Sequence, residues 1–326
     1  MTWLITGGAG YIGAHVVRAM TEAGERTVVY DDLSTGIAER VPDGVPLVVG
    51  SVLDGGRVTR AVEDHGVTGV VHLAAKKQVG ESVDLPLRYY RENVEGLRVL
   101  LEAVTSAGVP SFVLSSSAAV YGIPDVGLVT EETPCAPISP YGETKLAGEW
   151  LVRATGRATG LSTAALRYFN VAGAAAPELS DTSVSNLVPM VFERLTGNAA
   201  PRIFGDDYDT PDGTCVRDYI HVVDVAEAHV AAARALVASP GRSLTLNIGR
   251  GEGVSVREMI DLINAVTGHD RPPTVTPRRP GDPARVVASA DRAATELAWK
   301  AKHDVQDMIV SAWRGWTHRH PEAARG

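Results

Sequence analysis

A short β-rich run, Trp3 to Thr6, leads directly into Gly7-Gly8-Ala9-Gly10-Tyr11-Ile12-Gly13, and a helix-like stretch follows to about Ala23. Nothing else in the chain restricts its folding as strongly. Glycine at position 7 permits a tight strand-to-helix turn, glycine at 10 lets backbone amides approach a bound pyrophosphate, and glycine at 13 lets the helix pack on its strand. The helix N-terminus adds partial positive charge at the same point. Asp31 ends the second strand, where a carboxylate accepts hydrogen bonds from the adenosine ribose hydroxyls and repels a 2′-phosphate. The pattern therefore predicts a dinucleotide site that prefers NAD to NADP, and no arginine directly follows Asp31 to reverse the preference. Three glycines mean little in a chain with 33 of them; the strand before, the helix after and the acid at strand two supply the specificity.

Beyond this turn, β-rich runs at Thr27 to Tyr30, Leu47 to Val49, Gly69 to Leu73, Phe112 to Ser115 and Thr163 to Arg167 alternate with helical patterns. The helices cover roughly Tyr11 to Ala23, Arg57 to His65, Leu87 to Ala107 and Tyr141 to Thr159. Strands apolar on both faces, alternating with helices, predict a doubly wound α/β fold with a parallel sheet, the Rossmann arrangement. After about residue 170 the rhythm breaks. Ala172 to Asp212 is rich in Ala, Pro, Asp and Gly, and Arg271 to Pro283 carries five prolines, so long loops around short elements are expected. Helical patterns near Val223 to Leu236 and Val256 to Val266 suggest a return to the first domain and then a smaller C-terminal lobe. The expected domains are residues 1–170 for the dinucleotide, with a returning segment near 223–249, and 171–326 mainly for substrate.

Lys plus Arg number 31 and Asp plus Glu 39, a net charge of −8, which argues against nucleic acid or an anionic membrane as partner. Any anionic ligand must be held by local groups. Only five of the basic residues are lysines, at 76, 77, 145, 300 and 302. Two cysteines, 135 and 215, provide neither a disulfide framework nor a zinc site; no metal is expected, and a reducing compartment is. No apolar stretch reaches membrane-spanning length and no cleavable signal is visible, so the expectation is a cytoplasmic protein.

Tyr141 and Lys145, four positions apart after Ser139-Pro140, stack on one helical face. An ammonium beside a phenol favours the phenolate, and a positively charged nicotinamide favours it further, so a group with a reference pKa of about 10 can act as a base near neutrality. A surface tyrosine beside a solvated lysine is the alternative. Ser115-Ser116-Ser117 weighs against it, because this run ends the fifth strand at the carboxyl edge where such sheets bind ligands. From there Ser117 can donate to a substrate oxygen while Tyr141 takes the proton.

The Gly7, Gly10, Gly13 spacing resembles that of the short-chain dehydrogenase/reductase superfamily. A closer resemblance spans nearly the whole chain: Val79-Gly80-Glu81-Ser82, Ser115 to Gly122, Ser139 to Lys145, Leu166 to Asn170, Ile203 to Tyr208 and Asp212 to Val222 look like UDP-glucose 4-epimerases, also called UDP-galactose 4-epimerases. Related sugar-nucleotide dehydratases typically carry Thr-Asp-Glu where this chain has Ser117-Ala118-Ala119, which lacks the acid and base that water elimination requires. The resemblance implies C4 epimerisation of a UDP-hexose with tightly held NAD, taken and returned within one turnover. Tyr141 would remove the O4 proton as hydride leaves C4, Ser117 would share that hydrogen bond, and Lys145 would lower the tyrosine pKa and hold the nicotinamide ribose. The 4-keto sugar then turns over in the pocket and is reduced on its other face.

By the same resemblance, Asn170, Asn186, Arg217, Arg279 and Asp282, with Ser117, Phe204 and Tyr219, hold sugar, diphosphate or uridine. Guanidinium groups suit phosphate because they bind its oxygens bidentately. The implied cofactor set is Gly7, Gly10, Tyr11, Ile12, Gly13, Asp31, Asp32, Leu33, Ser34, Thr35, Gly36, Ser51, Val52, Leu73, Ala74, Ala75, Lys77, Asn93, Ser115, Tyr141, Lys145 and Phe169. Three positions depart from the family pattern. Ser51 replaces a common aspartate near the adenine, Ala75 replaces a glycine, and Val286 falls where some members carry a bulky residue, so an N-acetyl group would find room.

UDP-N-acetylhexosamine or UDP-pentose epimerases remain alternatives, as does a net NAD-dependent sugar-nucleotide dehydrogenase. A non-enzymatic dinucleotide sensor is disfavoured by the Tyr141/Lys145 pair. The resemblance also suggests a homodimer built on the helices Leu87 to Ala107 and Tyr141 to Thr159, whose apolar positions Leu97, Leu100, Leu101, Trp150 and Leu151 serve equally well as core.

Overall fold

The structure is a computed structural model that describes residues 1–279 and 281–325; Pro280 and Gly326, both in the expected second domain, lie outside the described residues. The strands are β1 (Thr2–Thr6), β2 (Arg26–Asp31), β3 (Leu47–Val49), β4 (Gly69–His72), β5 (Ser111–Ser117), β6 (Ser162–Tyr168), β7 (Asn170–Ala172), β8 (Arg202–Phe204), β9 (Val216–His221), β10 (Ser243–Ile248), β11 (Gly253–Ser255), β12 (Thr274–Thr276) and β13 (Arg285–Val286). The helices are α1 (Tyr11–Glu22), α2 (Gly55–Asp64), α3 (Val79–Asp84), α4 (Pro86–Tyr89), α5 (Gly96–Ser106), α6 (Pro140–Thr159), α7 (Leu187–Thr196), α8 (Val222–Ala238), α9 (Val256–Thr267), α10 (Asp291–Leu297) and α11 (Val305–Arg319). A π-helical stretch, Tyr90–Glu95, joins α4 to α5, so the pattern from Leu87 to Ala107 is one helix with a local change of winding.

Seven strands form a parallel sheet in the order β3-β2-β1-β4-β5-β6-β10. The order reverses between β1 and β4, which opens a crevice at their carboxyl ends. β1 is buried along its whole length, and its alternation divides the core in two. Trp3 and Ile5 pack with Val16, Val17 and Met20 of α1 and with Val225 and Leu236 of α8. Leu4 faces the other way, toward Val58 and Val62 of α2, Leu97 and Leu100 of α5 and Val152 of α6. Each such aliphatic side chain contributes about 1.5–3 kcal/mol on burial, so the apolar strands hold helices on both faces. After β9 the chain supplies α8 to one face of this sheet and β10 to its edge.

A second cluster joins α7, α9 and α11 over β9, with Phe192, Ile203, Tyr219, Met259, Ile263, Met308 and Trp316 at its centre. Helix α7 is a correction to the loop-rich reading of Ala172 to Asp212: its apolar stripe of Val188, Val191, Phe192 and Leu195 is buried. Phe169 is the one residue between β6 and β7, where the chain leaves the central sheet. β7 then pairs with β9, Asn170 beside Tyr219, and β13 pairs with the same strand, Val286 beside Arg217. The parallel pair β8/β12 sets Thr276 beside Phe204 and so brings the segment after β12 to that ring.

Candidate active site

The glycine turn has the geometry its sequence requires. Gly7 adopts φ +72°, and a Cβ there would lie 2.7 Å from the Ala74 nitrogen; a Cβ on Gly13 would lie 2.0 Å from the Gly7 carbonyl oxygen. The first amides of α1 have no intrahelical partners and open onto the crevice. Asp31 is tied to the turn, accepting from the Ala9 amide at 3.0 Å and from the Leu33 amide at 2.9 Å. Burial raises its carboxyl above the usual range, and those two amides oppose the shift. A cleft of about 710 Å³ runs from here, lined by Gly7, Gly10, Tyr11, Ile12, Gly13, Asp31, Asp32, Ser34, Thr35, Ser51, Val52, Leu73, Ala74, Ala75, Lys77, Ser115, Tyr141 and Lys145. A turn whose glycines leave no room for a Cβ against neighbouring backbone, opening on helix amides and ending in a carboxylate, fits a dinucleotide.

At the far end stands the acid–base group. Ser139 caps α6, its side chain accepting from the Gly142 amide, and Pro140 occupies the first turn. Tyr141 and Lys145 follow on the buried face, with the Lys145 ammonium 5.8 Å from the Tyr141 ring centroid. Lys145 Nζ donates to the Ser115 carbonyl at 2.9 Å. Burial pulls the lysine down to about 8, and Glu149 opposes it. Burial pushes the Tyr141 phenol above its ordinary value, while a hydrogen bond with Ser117 favours the ionised form. A cation near a phenol favours its ionised form, and Lys145 is the ammonium nearest this ring. Around the pair, burial lowers His72 to about 3, with the Lys145 charge adding to the shift, and Tyr168 Oη is bonded to Ser115 Oγ.

The remaining cofactor positions lie off the cleft wall. Leu33 and Gly36 pack about the Asp31 carboxylate, and a Cβ on Gly36 would lie 2.6 Å from its Oδ1. Asn93 braces the strand-end segment, accepting from the Lys76 amide at 2.8 Å and donating to the Lys76 carbonyl at 3.0 Å. Phe169 is buried among Val120, Tyr121, Leu146 and Val286.

The residues assigned to substrate form two groups. Asn170, Asn186 and Tyr219 line a smaller pocket beside Tyr11, where Asn186 Nδ2 donates to Asp181 at 2.9 Å. Arg217 pairs with Asp282 at 3.1 Å, and the Arg279 guanidinium lies 3.7 Å from the Phe204 ring centroid. Two arginines, an acid and an aromatic face suit a nucleoside diphosphate. Lys76, inside the Leu73 to Lys77 stretch that the resemblance assigns to the cofactor, reaches Ser34 Oγ at 3.2 Å with its ammonium. Sequence reasoning missed Arg40 and the segment Thr182 to Ser185, which line the same cleft; both lie in stretches without a motif.

This arrangement matches known proteins along the chain. The model of the NAD dependent epimerase/dehydratase family matches residues 3–249. The UDP-glucose 4-epimerase of Azospirillum brasilense is 47% identical over 96% of this chain and 91% of that protein, and that of Corynebacterium glutamicum is 42% identical over 96% and 95%. Among solved structures, UDP-glucose-4-epimerase from Stenotrophomonas maltophila with bound NAD and formylated UDP-arabinopyranose superposes with a TM-score of 0.94 at 40% identity, covering 99% of this chain and 100% of that one. The chain belongs to the NAD dependent epimerase/dehydratase family.

Proposed function

We propose that the protein interconverts UDP-galactose and UDP-glucose by C4 epimerisation through a transient 4-keto sugar, with NAD as its resident cofactor. The observation that carries this reading is that Tyr141 and Lys145 of α6 line one end of the dinucleotide cleft beside Ser117 at the end of β5, together with the Arg217/Asp282 and Arg279/Phe204 pairs. When bound, NAD supplies the hydride acceptor and donor at its nicotinamide. Tyr141 takes the proton from the sugar O4 and returns it in the second half of the turnover. Lys145 holds the phenolate, and Ser117 donates a hydrogen bond to the same sugar oxygen. Arg217, Arg279 and Asp282, with Asn170, Asn186, Phe204 and Tyr219, grip the UDP portion, so the 4-keto sugar turns over without leaving.

Purified protein given UDP-galactose is expected to form UDP-glucose with no added NAD. Failure to epimerise any of a panel of UDP-hexoses, UDP-N-acetylhexosamines and UDP-pentoses would overturn the reading. The panel includes N-acetyl sugars because Val286, in register with Arg217, is small where the family resemblance puts a bulky residue in some members. Steady accumulation of NADH would point instead to a net dehydrogenase.

The same reading assigns NAD to residues 1–170 with 223–249, and the UDP-sugar mainly to 171–326. It includes a homodimer: Leu97, Leu100 and Leu101 are core, whereas Leu87 (84% exposed) and Trp150 (55% exposed) face outward. Sedimentation of the purified chain tests it. Residence in the cytoplasm accords with two free thiols, Cys135 and Cys215, and with the finding that no described helix is long and apolar enough to cross a membrane; cell fractionation decides.

A further inference from the structure

Behind the Tyr141–Lys145 face of α6 lies a buried ion pair that the reaction scheme leaves unused. Glu149, one helical turn beyond Lys145, accepts from Arg167 Nε at 2.8 Å and from Nη2 at 2.6 Å, and both side chains are almost wholly buried. Ser116 Oγ donates to the same carboxylate at 2.5 Å. Arg167 Nη1 donates to Tyr121 Oη at 2.9 Å, and Tyr121 donates to Asn247 Oδ1 at 2.6 Å. Side chains from α6, β5, β6 and β10 thus meet in one polar network. Desolvating two charges costs several kcal/mol per ion, and an apolar pair of similar volume is often as stable. Stability alone does not account for the pair.

The end of β5 supplies a reason. The Ser115 carbonyl accepts from Lys145, the Ser116 hydroxyl donates to Glu149, and Ser117 carries the hydroxyl assigned to the sugar oxygen. Three consecutive serines tie down the ammonium, its counter-charge and the reacting group. We propose that Glu149, held by Arg167 and Ser116, is a positioning residue that keeps Lys145 cationic and aligned with the end of β5; the activity readout of this inference rests on the epimerase reading.

The groups around the ammonium leave this task to Glu149. Tyr141 shares the helix, and the Ser115 carbonyl comes from β5. His72 on β4 is kept neutral by burial, and Tyr168 on β6 is kept protonated by burial. Arg167, the other charge nearby, is paired with Glu149 itself. Against burial, which brings Lys145 to about 8, Glu149 is the charge that sustains the ammonium.

The test uses the NAD-loaded protein. Glu149→Gln keeps an oxygen for Ser116 but removes the charge and leaves Arg167 unpaired. The alkaline limb of kcat against pH should move down by about one pH unit, giving about a fivefold loss at pH 8 with KM nearly constant. Joint replacement with Arg167→Met removes both charges and should leave the limb lowered, because the Glu149 charge is still missing; a return to the original position would make Glu149 only the counter-ion of Arg167 and overturn the proposal. A fall in kcat with the limb unmoved would reduce Glu149 to a structural brace and overturn the proposal. Where Glu149→Gln does not fold, Glu149→Asp should show a smaller downward shift, and an unmoved limb there overturns it equally. Competitive acetylation with trace acetic anhydride, read on the peptide bearing Lys145, gives the lysine pKa without any sugar. A fall of about one unit in Glu149→Gln supports the proposal and an unchanged value overturns it, even if no UDP-sugar is turned over.

Discussion

Lys145 Nζ donates to the main-chain carbonyl of Ser115 at 2.9 Å, so the helix that carries Tyr141 is latched to the strand that carries Ser117. Because the acceptor is backbone, the bond survives any rotamer change among the three serines. The distance between base and hydroxyl is thereby set by α6 and β5 rather than by flexible side chains.

Tyr141→Phe removes the proton acceptor and little else, since the ring stays in its buried place. Turnover of UDP-galactose should fall roughly 10²–10⁴-fold, the usual worth of a positioned base, while UDP affinity measured by calorimetry stays close to the parent value. Unchanged turnover would exclude Tyr141 as the base.

Gly13→Ala drives a methyl to within 2.0 Å of the Gly7 carbonyl oxygen and 2.8 Å of the Gly8 Cα. Backbone cannot give way as a side-chain tip does, so α1 must shift from its strand. A stability loss of at least about 2 kcal/mol is expected, with loss of bound NAD on purification. Nucleotide released from the denatured variant, measured by absorbance, checks it; full retention would contradict the cradle.

Arg217→Ala and Arg279→Ala should each weaken UDP binding by roughly ten- to a hundredfold, the worth of a charge-assisted hydrogen-bond pair. Asp282→Ala releases Arg217 from its 3.1 Å partner and should cost less. Titration calorimetry with UDP separates the three. Equal affinities across them would remove this pair of loops from the binding site.

Acid should destabilise the fold before it reaches most carboxylates. Burial is the main cause that lowers His15 to about 4, His72 to about 3, His221 to about 4 and His229 to about 4. Unfolded, each takes up a proton near 6.5, so the unfolded chain binds more protons and stability falls as pH drops from about 6.5 toward 4. Asp218, raised by burial to about 6, opposes the trend because it is protonated first in the folded state. Four groups against one leave about three protons, a slope of about 4 kcal/mol per pH unit near pH 5. Urea midpoints at pH 7 and pH 5 measure it, and equal midpoints would refute it.

Six of the seven central strands were readable as apolar runs, five of them because a strand buried on both faces needs no partner to identify itself, and the edge strand β3 because its three residues are all aliphatic. The seventh, β10, was visible only as part of a returning segment; its sequence Ser-Leu-Thr-Leu-Asn-Ile alternates like a half-exposed edge. That Tyr141 and Lys145 share a face was readable from their spacing on one helix. Glu149 continues that spacing by four more residues, yet its role depends on Arg167 and Ser116 from other elements, which no local pattern reports.

By itself the sequence determined the glycine turn, the acid at the end of β2, the parallel alternation and the placement of Tyr141 and Lys145 on one helical face. These are local: each follows from backbone freedom, strand burial or helical period within a few residues. Only the tertiary structure decided that Arg217 meets Asp282, that Arg279 lies on Phe204, that Lys76 reaches Ser34 and that Glu149 stands behind Lys145. Apart from the last, those contacts join positions tens of residues apart, and the Glu149 charge owes its weight to burial. A charge becomes decisive only when the fold removes the water that would otherwise screen it.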